Sequence, residues 1–499
     1  MLKVRENNVI NKIFEAFELI FKFCFLIYGI ASFNSFTVNT RFISLMLVLT
    51  ACTALITLVY RVINFRCFMH NKLFWLSLLF LFSYVISFLL NIKYANMNAI
   101  KTFLFMGMEF CLLLTTDERK DFNAKKHELK LILTSFNFYM FISSIASIVL
   151  FACGYSNITE RNGQKVFSGF VWGRLWGVFT DPNYASVLAA MAIIISLYAL
   201  KKYKKVSWRI FNVLNICLQL AYITFSDSRT GLVVLSLSLA VYFACYFASL
   251  DFHLNVPIKG IVCTVLALCI SVFSLFAVRT VNKTYNTIVV SIAQSKENND
   301  KDNDTTSNKT GNTTSHITGN ATSDTTGDKT DNKIAALELG REFDTQQDIS
   351  NRRFALWGSA LETIKLKPVF GVSFESLVDF VSDNLPETYL VNNDSGAFGN
   401  YHNMLFNVLV GQGIVGIILI MIMIIYAGIS LIKVLYNAYD KEDYMLLVMI
   451  FALLIAALAS AMFLSEVIYA ISVNMMLFWY LLGIMLSYKK KKEEVQELS

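Results

Sequence analysis

The chain has 499 residues, 56% hydrophobic and 14% aromatic, with 42 Phe against 4 Pro and only 16% charged residues. A soluble chain carries about 25% charge, so a protein of several water-soluble domains is excluded and much of the surface must face lipid. The formal charge of +7 is gathered in clusters between apolar runs, the pattern of loops flanking membrane helices, which sets nucleic acid aside as a partner.

A bilayer core takes about 20 apolar residues per helix. Runs of that kind lie near 13–33, 42–60, 73–92, 97–116, 131–153, 183–200, 210–226, 231–250, 259–279, 408–432, 444–463 and 467–487, which predicts an all-α polytopic protein of about twelve membrane helices. The first run is interrupted by Glu15, Glu18 and Lys22, so it does not read as a cleavable signal. Nine cysteines, most of them inside these runs and without a C-x-x-C pair, read as small apolar fillers rather than zinc ligands or a disulfide framework.

Lys and Arg set the orientation. Arg61, Arg66 and Lys72, then Arg119 to Lys130, then Lys201 to Arg209, and the tail Lys489 to Lys492 all fall on one side, which is the cytoplasm if the N-terminus is inside. The even helix count puts both termini there. The expected domains are helices one to nine in 1–279, an extracytoplasmic loop over 280–402, helices ten to twelve in 403–488, and a basic then acidic cytoplasmic tail over 489–499. Within the loop, residues 294–333 are nearly all Asn, Asp, Thr, Ser, Lys and Gly and are expected to be disordered. Beyond it, Phe354, Trp357, Leu361 and Ile364 recur at helical spacing, and Pro368 with Gly371 ends that helix.

Cations on the outer side run against the positive-inside bias and call for a reason. Arg174 precedes Thr180-Asp181-Pro182-Asn183, in which Asp181 reads as an N-cap and Pro182 as the first helical residue. Arg229 lies in Ser226-Asp227-Ser228-Arg229-Thr230-Gly231, a tight turn where the start of a helix adds its backbone donors to the guanidinium and makes a seat for phosphate. Arg353 stands one helical turn before Trp357. Each arginine is equally compatible with snorkelling to lipid headgroups or with a solvated helix face. His402, in Asn400-Tyr401-His402-Asn403, is the histidine at the outer boundary that can accept a proton from a hydroxyl. A diphosphate leaving group fits this set: positive charge on the departing phosphates, a base at the acceptor, and no metal or cofactor. Asp181 and Asp227 are alternative bases or partners of an arginine, with helix capping the plainer role for both.

These motifs resemble the O-antigen ligase and polymerase family of bacterial membrane glycosyltransferases. The likeness rests on Arg174-Leu175-Trp176-Gly177 through Asn183; on Ser228-Arg229-Thr230-Gly231; on Arg353 with Trp357 and Lys367-Pro368-Val369-Phe370-Gly371; and on His402-Asn403 with Gly413-Ile414-Val415-Gly416. Two features depart from the family pattern: Phe406 in place of the usual Leu, and the 294–333 tract, which looks like an insertion. The resemblance implies a GT-C-like fold on the cytoplasmic membrane with its active site on the extracytoplasmic face. It also implies that Arg174, Arg229 and Arg353 hold a polyprenyl diphosphate while His402 activates the acceptor hydroxyl, with Asp181, Asn183, Asp227 and Asn403 in support.

A flippase and a chain-length regulator are the expected protein partners, and a polyprenyl-diphosphate-linked oligosaccharide is the substrate. Richness in Lys, Asn, Ile and Phe suggests an AT-rich, low-GC Gram-positive source, which favours polymerisation of capsular or exopolysaccharide repeats over ligation of a finished glycan. A secondary transporter is the rival from another class. It would need related halves or midplane charges, of which Lys101 and Glu109 are the exceptions on offer.

Overall fold

The computed structural model describes residues 8–68, 71–161, 164–250, 256–304, 352–393, 396–438 and 440–488. Helices run over Asn8–Ser32 (α1), Arg41–Ile63 (α2), Lys72–Leu90 (α3), Met97–Met108 (α4), Phe122–Ala152 (α5), Pro182–Lys202 (α6), Val206–Phe225 (α7), Arg229–Ala248 (α8) and Val256–Asp304 (α9). They continue with Arg353–Leu366 (α10), Leu377–Asn384 (α11), Met404–Tyr436 (α12), Lys441–Ala461 (α13) and Val473–Leu486 (α14).

Every predicted apolar run overlaps a helix, though 467–487 becomes helical only from Val473. Among the described residues, nine are long and apolar enough to cross a membrane: α2, α3, α5 to α9, α12 and α13. The other three fall short for different reasons. α4 has 12 residues before it widens into a π-helical turn over Glu109–Leu113, and α14 has 14. α1 is long but charged, and its charges are used inside the protein. Glu18 Oε1 accepts from Lys22 Nζ at 2.7 Å and from Arg61 Nη2 at 2.8 Å, and Lys22 also pairs with Glu128. All three of Glu18, Lys22 and Arg61 are buried, where ions are tolerated only as such pairs.

The all-α reading holds for the membrane part, with one addition. Ser156–Arg161 (β1), Gln164–Val171 (β2) and Arg174–Gly177 (β3) form an antiparallel sheet in the order β1-β2-β3 between α5 and α6. Residues Trp172 and Gly173, at φ 51° and 65°, make the two-residue turn between β2 and β3, the form whose twist suits a hairpin.

α9 runs past residue 280, where the extracytoplasmic loop is expected to begin, and continues unbroken to Asp304. No Gly or Pro interrupts the chain between Gly260 and Gly311, so nothing stops the helix at the end of its apolar part. The start of the tract expected to be disordered is therefore helical, and the rest of it, from 305 on, lies outside the described residues.

α6 is the shaft of the bundle. Ala185, Ala189, Ala190 and Ala192 are buried on it, and these small side chains let α7, α8 and α13 approach closely. A Cβ on Gly231 would come within 2.4 Å of Ser186 Cβ, so glycine at the start of α8 is what lets it lie against α6. A second core of Leu356, Ala360, Leu377, Phe380, Val381 and Tyr401 packs α10 and α11 as a cap over the start of α12. The helix expected around Phe354 and Trp357 is α10.

Candidate functional site

The N-terminal end of α6 is where the motifs meet. Asp181 is its N-cap, accepting from Asn183 N at 2.7 Å, with Pro182 at the first position as the sequence predicts. The β2–β3 turn delivers Arg174 to this end, where its Nε donates to Ser226 O at 2.8 Å and its Nη2 to Asn183 Oδ1 at 2.8 Å. Ser228 Oγ donates to the same Asn183 oxygen at 3.0 Å. Asn183 thus joins the 174–183 stretch to the Ser228–Gly231 stretch and holds the guanidinium of Arg174 with its charge uncompensated by this amide.

Arg229 stands exposed at the first position of α8, one residue beyond Ser228. Capping by Asp227 is corrected: the N-cap of α8 is Ser228, whose Oγ accepts from Gly231 N at 3.0 Å. Asp227 sits one residue too early, in the left-handed region at φ 46°, where it turns the chain between α7 and α8.

His402 lies on the loop entering α12, also left-handed at φ 49°, with its amide donating to Asn400 Oδ1 at 2.9 Å. Asn403 caps α12, accepting from Leu405 N at 2.9 Å and Phe406 N at 3.2 Å, and its amide nitrogen donates to Met462 O at 3.0 Å. Arg353 at the start of α10 lies over the ring of Phe463, 5.5 Å from its centroid. Trp357 Nε1 donates to Tyr401 O at 3.2 Å, and the Trp357 ring stacks on Phe406 at 5.3 Å. Phe406, the departure from the family pattern, therefore pins the cap to α12.

Burial pushes the His402 imidazole below its ordinary value of 6.5, with the positive charge of Arg353 adding to the shift and Asp181 opposing it. The α13–α14 connection ties the three entrances together: Asn403 of the α12 cap donates to Met462 O, Arg353 of α10 lies over Phe463, and Val473 N donates to the Tyr184 hydroxyl in the first turn of α6 at 2.9 Å.

Residues absent from the sequence reading complete the site. Ser465 Oγ donates to Asn400 Oδ1 at 2.5 Å and accepts from Asn407 Nδ2 at 2.8 Å, so the α13–α14 connection supports the His402 loop. Glu466, next to it, is buried, and its Oε2 accepts from Ser460 Oγ at 2.8 Å and from Asn474 Nδ2. Burial pushes the Glu466 carboxyl up to about 7, with Ser460 and Asn474 countering and Asp181 adding. A lone acid in Phe463-Leu464-Ser465-Glu466-Val467, between two apolar runs, was the available signal.

The remaining motifs form a backbone latch. Val372 N donates to Val410 O at 2.8 Å, Ser373 N to Gly411 O at 3.1 Å and Ile414 N to Pro368 O at 2.9 Å, so the Lys367–Gly371 turn docks where α12 breaks at Gly413. A Cβ on Gly413 would lie 2.2 Å from Val369 O, and one on Gly371 2.2 Å from Val410 O.

No curated protein matches the chain. The family model described as O-antigen ligase matches residues 214–421, which include Ser228–Gly231, Arg353, His402, Gly413 and Gly416 but stop short of Arg174, the residue that Asn183 and Ser226 tie in. The match, over 208 of the 499 residues, supports the resemblance to the O-antigen ligase/polymerase family.

Proposed function

We propose that this protein polymerises polyprenyl-diphosphate-linked oligosaccharide repeats on the outer face of the cytoplasmic membrane, without a metal. The observation that carries the reading is the gathering of Arg174, Arg353, Asp181 and His402 at one end of α6, away from its Lys201–Lys202 end. In the reaction the bond between the sugar's anomeric carbon and the diphosphate oxygen breaks, and a bond to the acceptor hydroxyl oxygen forms. The departing diphosphate takes the electron pair, and guanidinium groups of Arg174, Arg229 and Arg353 stabilise that charge. The hydroxyl proton passes to His402, whose lowered pKa leaves it neutral and able to accept at neutral pH. Asn183 and Ser226 fix Arg174, and Asn403 fixes the turn that presents His402.

The test is extension of lipid-linked repeats by membranes carrying each variant, read as a glycan ladder. Arg174→Ala, Arg353→Ala and Arg229→Ala are each expected to slow extension by about 10²–10³-fold, by analogy with loss of one donor to a developing oxyanion. His402→Ala is expected to abolish the ladder. Wild-type rates in Arg229→Ala and His402→Ala would refute the site. The family's description favours a second reading, transfer of a finished glycan to another acceptor. A single transferred species on a non-carrier acceptor, with no ladder, would select it.

A further inference from the structure

A cavity of about 1050 Å³ lies at the other end of α6, between the α8–α9 pair and the corner where α12 meets α13. Lys201 and Lys202 from the end of α6 and Lys441 from the first turn of α13 stand on its rim, facing two acids, Asp440 and Glu442. Both acids are engaged: Glu442 Oε1 pairs with Lys202 Nζ at 2.9 Å, and Asp440 Oδ1 accepts from Glu442 N at 3.3 Å as the cap of α13. Lys201 Nζ lies 4.1 Å from the centroid of the Tyr246 ring. Among the described residues the rim thus carries three lysines against these two acids.

The inner wall is different in kind. Ala244, Cys263, Leu435 and Met445 line it, and Ile432 and Tyr436 continue it outward at 61% and 90% exposure, where a bilayer would meet the protein. On α9 the lining also includes Gly260, where an added Cβ would meet nothing within 4 Å. The volume is slightly above the range usual for a bound organic ligand, about 300–1,000 Å³. A free anion needs no apolar wall of this size, and a neutral lipid gains nothing from the lysines.

We propose that this cavity binds one anionic glycerophospholipid, its phosphate between Lys201 and Lys441 and its upper acyl chains along α9 and α12. The site is separate from the His402 end of the bundle and does not depend on the reaction assigned there.

Native mass spectrometry of the full chain in dodecyl maltoside, titrated with phosphatidylglycerol or phosphatidylcholine, tests this. The wild type is expected to retain one phosphatidylglycerol at least about tenfold more tightly than phosphatidylcholine, from the contribution of two lysines to an anionic headgroup. Lys201→Ala with Lys441→Ala should erase that preference, and Lys201→Arg with Lys441→Arg should restore it. Gly260→Phe, which fills open space, should lower retention of phosphatidylglycerol with the lysines intact. Equal retention of the two lipids by the wild type would overturn the proposal, as would unchanged phosphatidylglycerol retention in both the double alanine and Gly260→Phe variants. Displacement of the lipid by millimolar inorganic phosphate would also overturn it, in favour of a simple anion site.

Discussion

His402 and the charges around it make a titration that can be followed. In the proposed role of base His402 must be neutral, so its rate contribution would be present above its lowered pKa and lost as pH falls through it. Arg353 lowers that pKa and Asp181 raises it. In Arg353→Ala, whatever the loss in amplitude, the acid limb of the pH–rate profile is therefore expected to move to higher pH, and in Asp181→Asn to lower pH. Buried Glu466 also lies in the field of Asp181, so Asp181→Asn lowers its titration as well, and Arg353→Ala is the variant that singles out His402. An acid limb that stays where it is in both would mean that a group other than His402 limits the rate. Of this set, Arg174, Arg353 and His402 were legible from unusual placement of charge. Asn183 was legible only as a supporter, and its role as a shared acceptor for Arg174 and Ser228 required the fold.

The latch between the Lys367–Gly371 turn and the break in α12 explains why the glycines at 371 and 413 accompany the site. Both are left-handed, at φ 68°, and each faces a carbonyl oxygen of the other segment at a distance that excludes any side chain. Gly413→Ala is expected to destabilise the protein by upwards of about 2 kcal/mol, from strained backbone plus the clash. Gly428→Ala, farther along α12 where a Cβ meets nothing within 4 Å, should be neutral or slightly stabilising. Thermal midpoints of the two variants in detergent check the contrast, and equal midpoints would remove the latch from the account. α1 teaches a related lesson. Its charges weakened it as a membrane run, yet Glu18, Lys22, Arg61 and Glu128 meet across three helices, a pairing that no window along one helix can display.

The bundle as a whole has two chemically distinct ends, joined by α6. One bears the sheet, the cap, Asp181 and His402; the other bears Lys126 paired with Asp443 and Lys202 paired with Glu442. With the basic end in the cytoplasm, a membrane-impermeant maleimide should label Trp172→Cys in intact cells of a cysteine-free background. Lys204→Cys should label only after permeabilisation. Labelling of Lys204→Cys in intact cells would invert the orientation.

Hydropathy is a local sum over about 20 residues, so the sequence by itself determined where the apolar helices lie, where α6 begins and α10 ends, and which charged residues are out of place. The tertiary structure decided what those residues do. Arg174 finds Ser226, Ser87 and Asn91 reach Gly411 and Gly371, and Ser465 meets Asn400, contacts set by the packing of distant helices rather than by any local pattern. The same packing created the β2–β3 turn's target, the buried place of Glu466 and the cavity between α9 and α12, because each is a property of the space between elements that the chain connects only through long intervening segments.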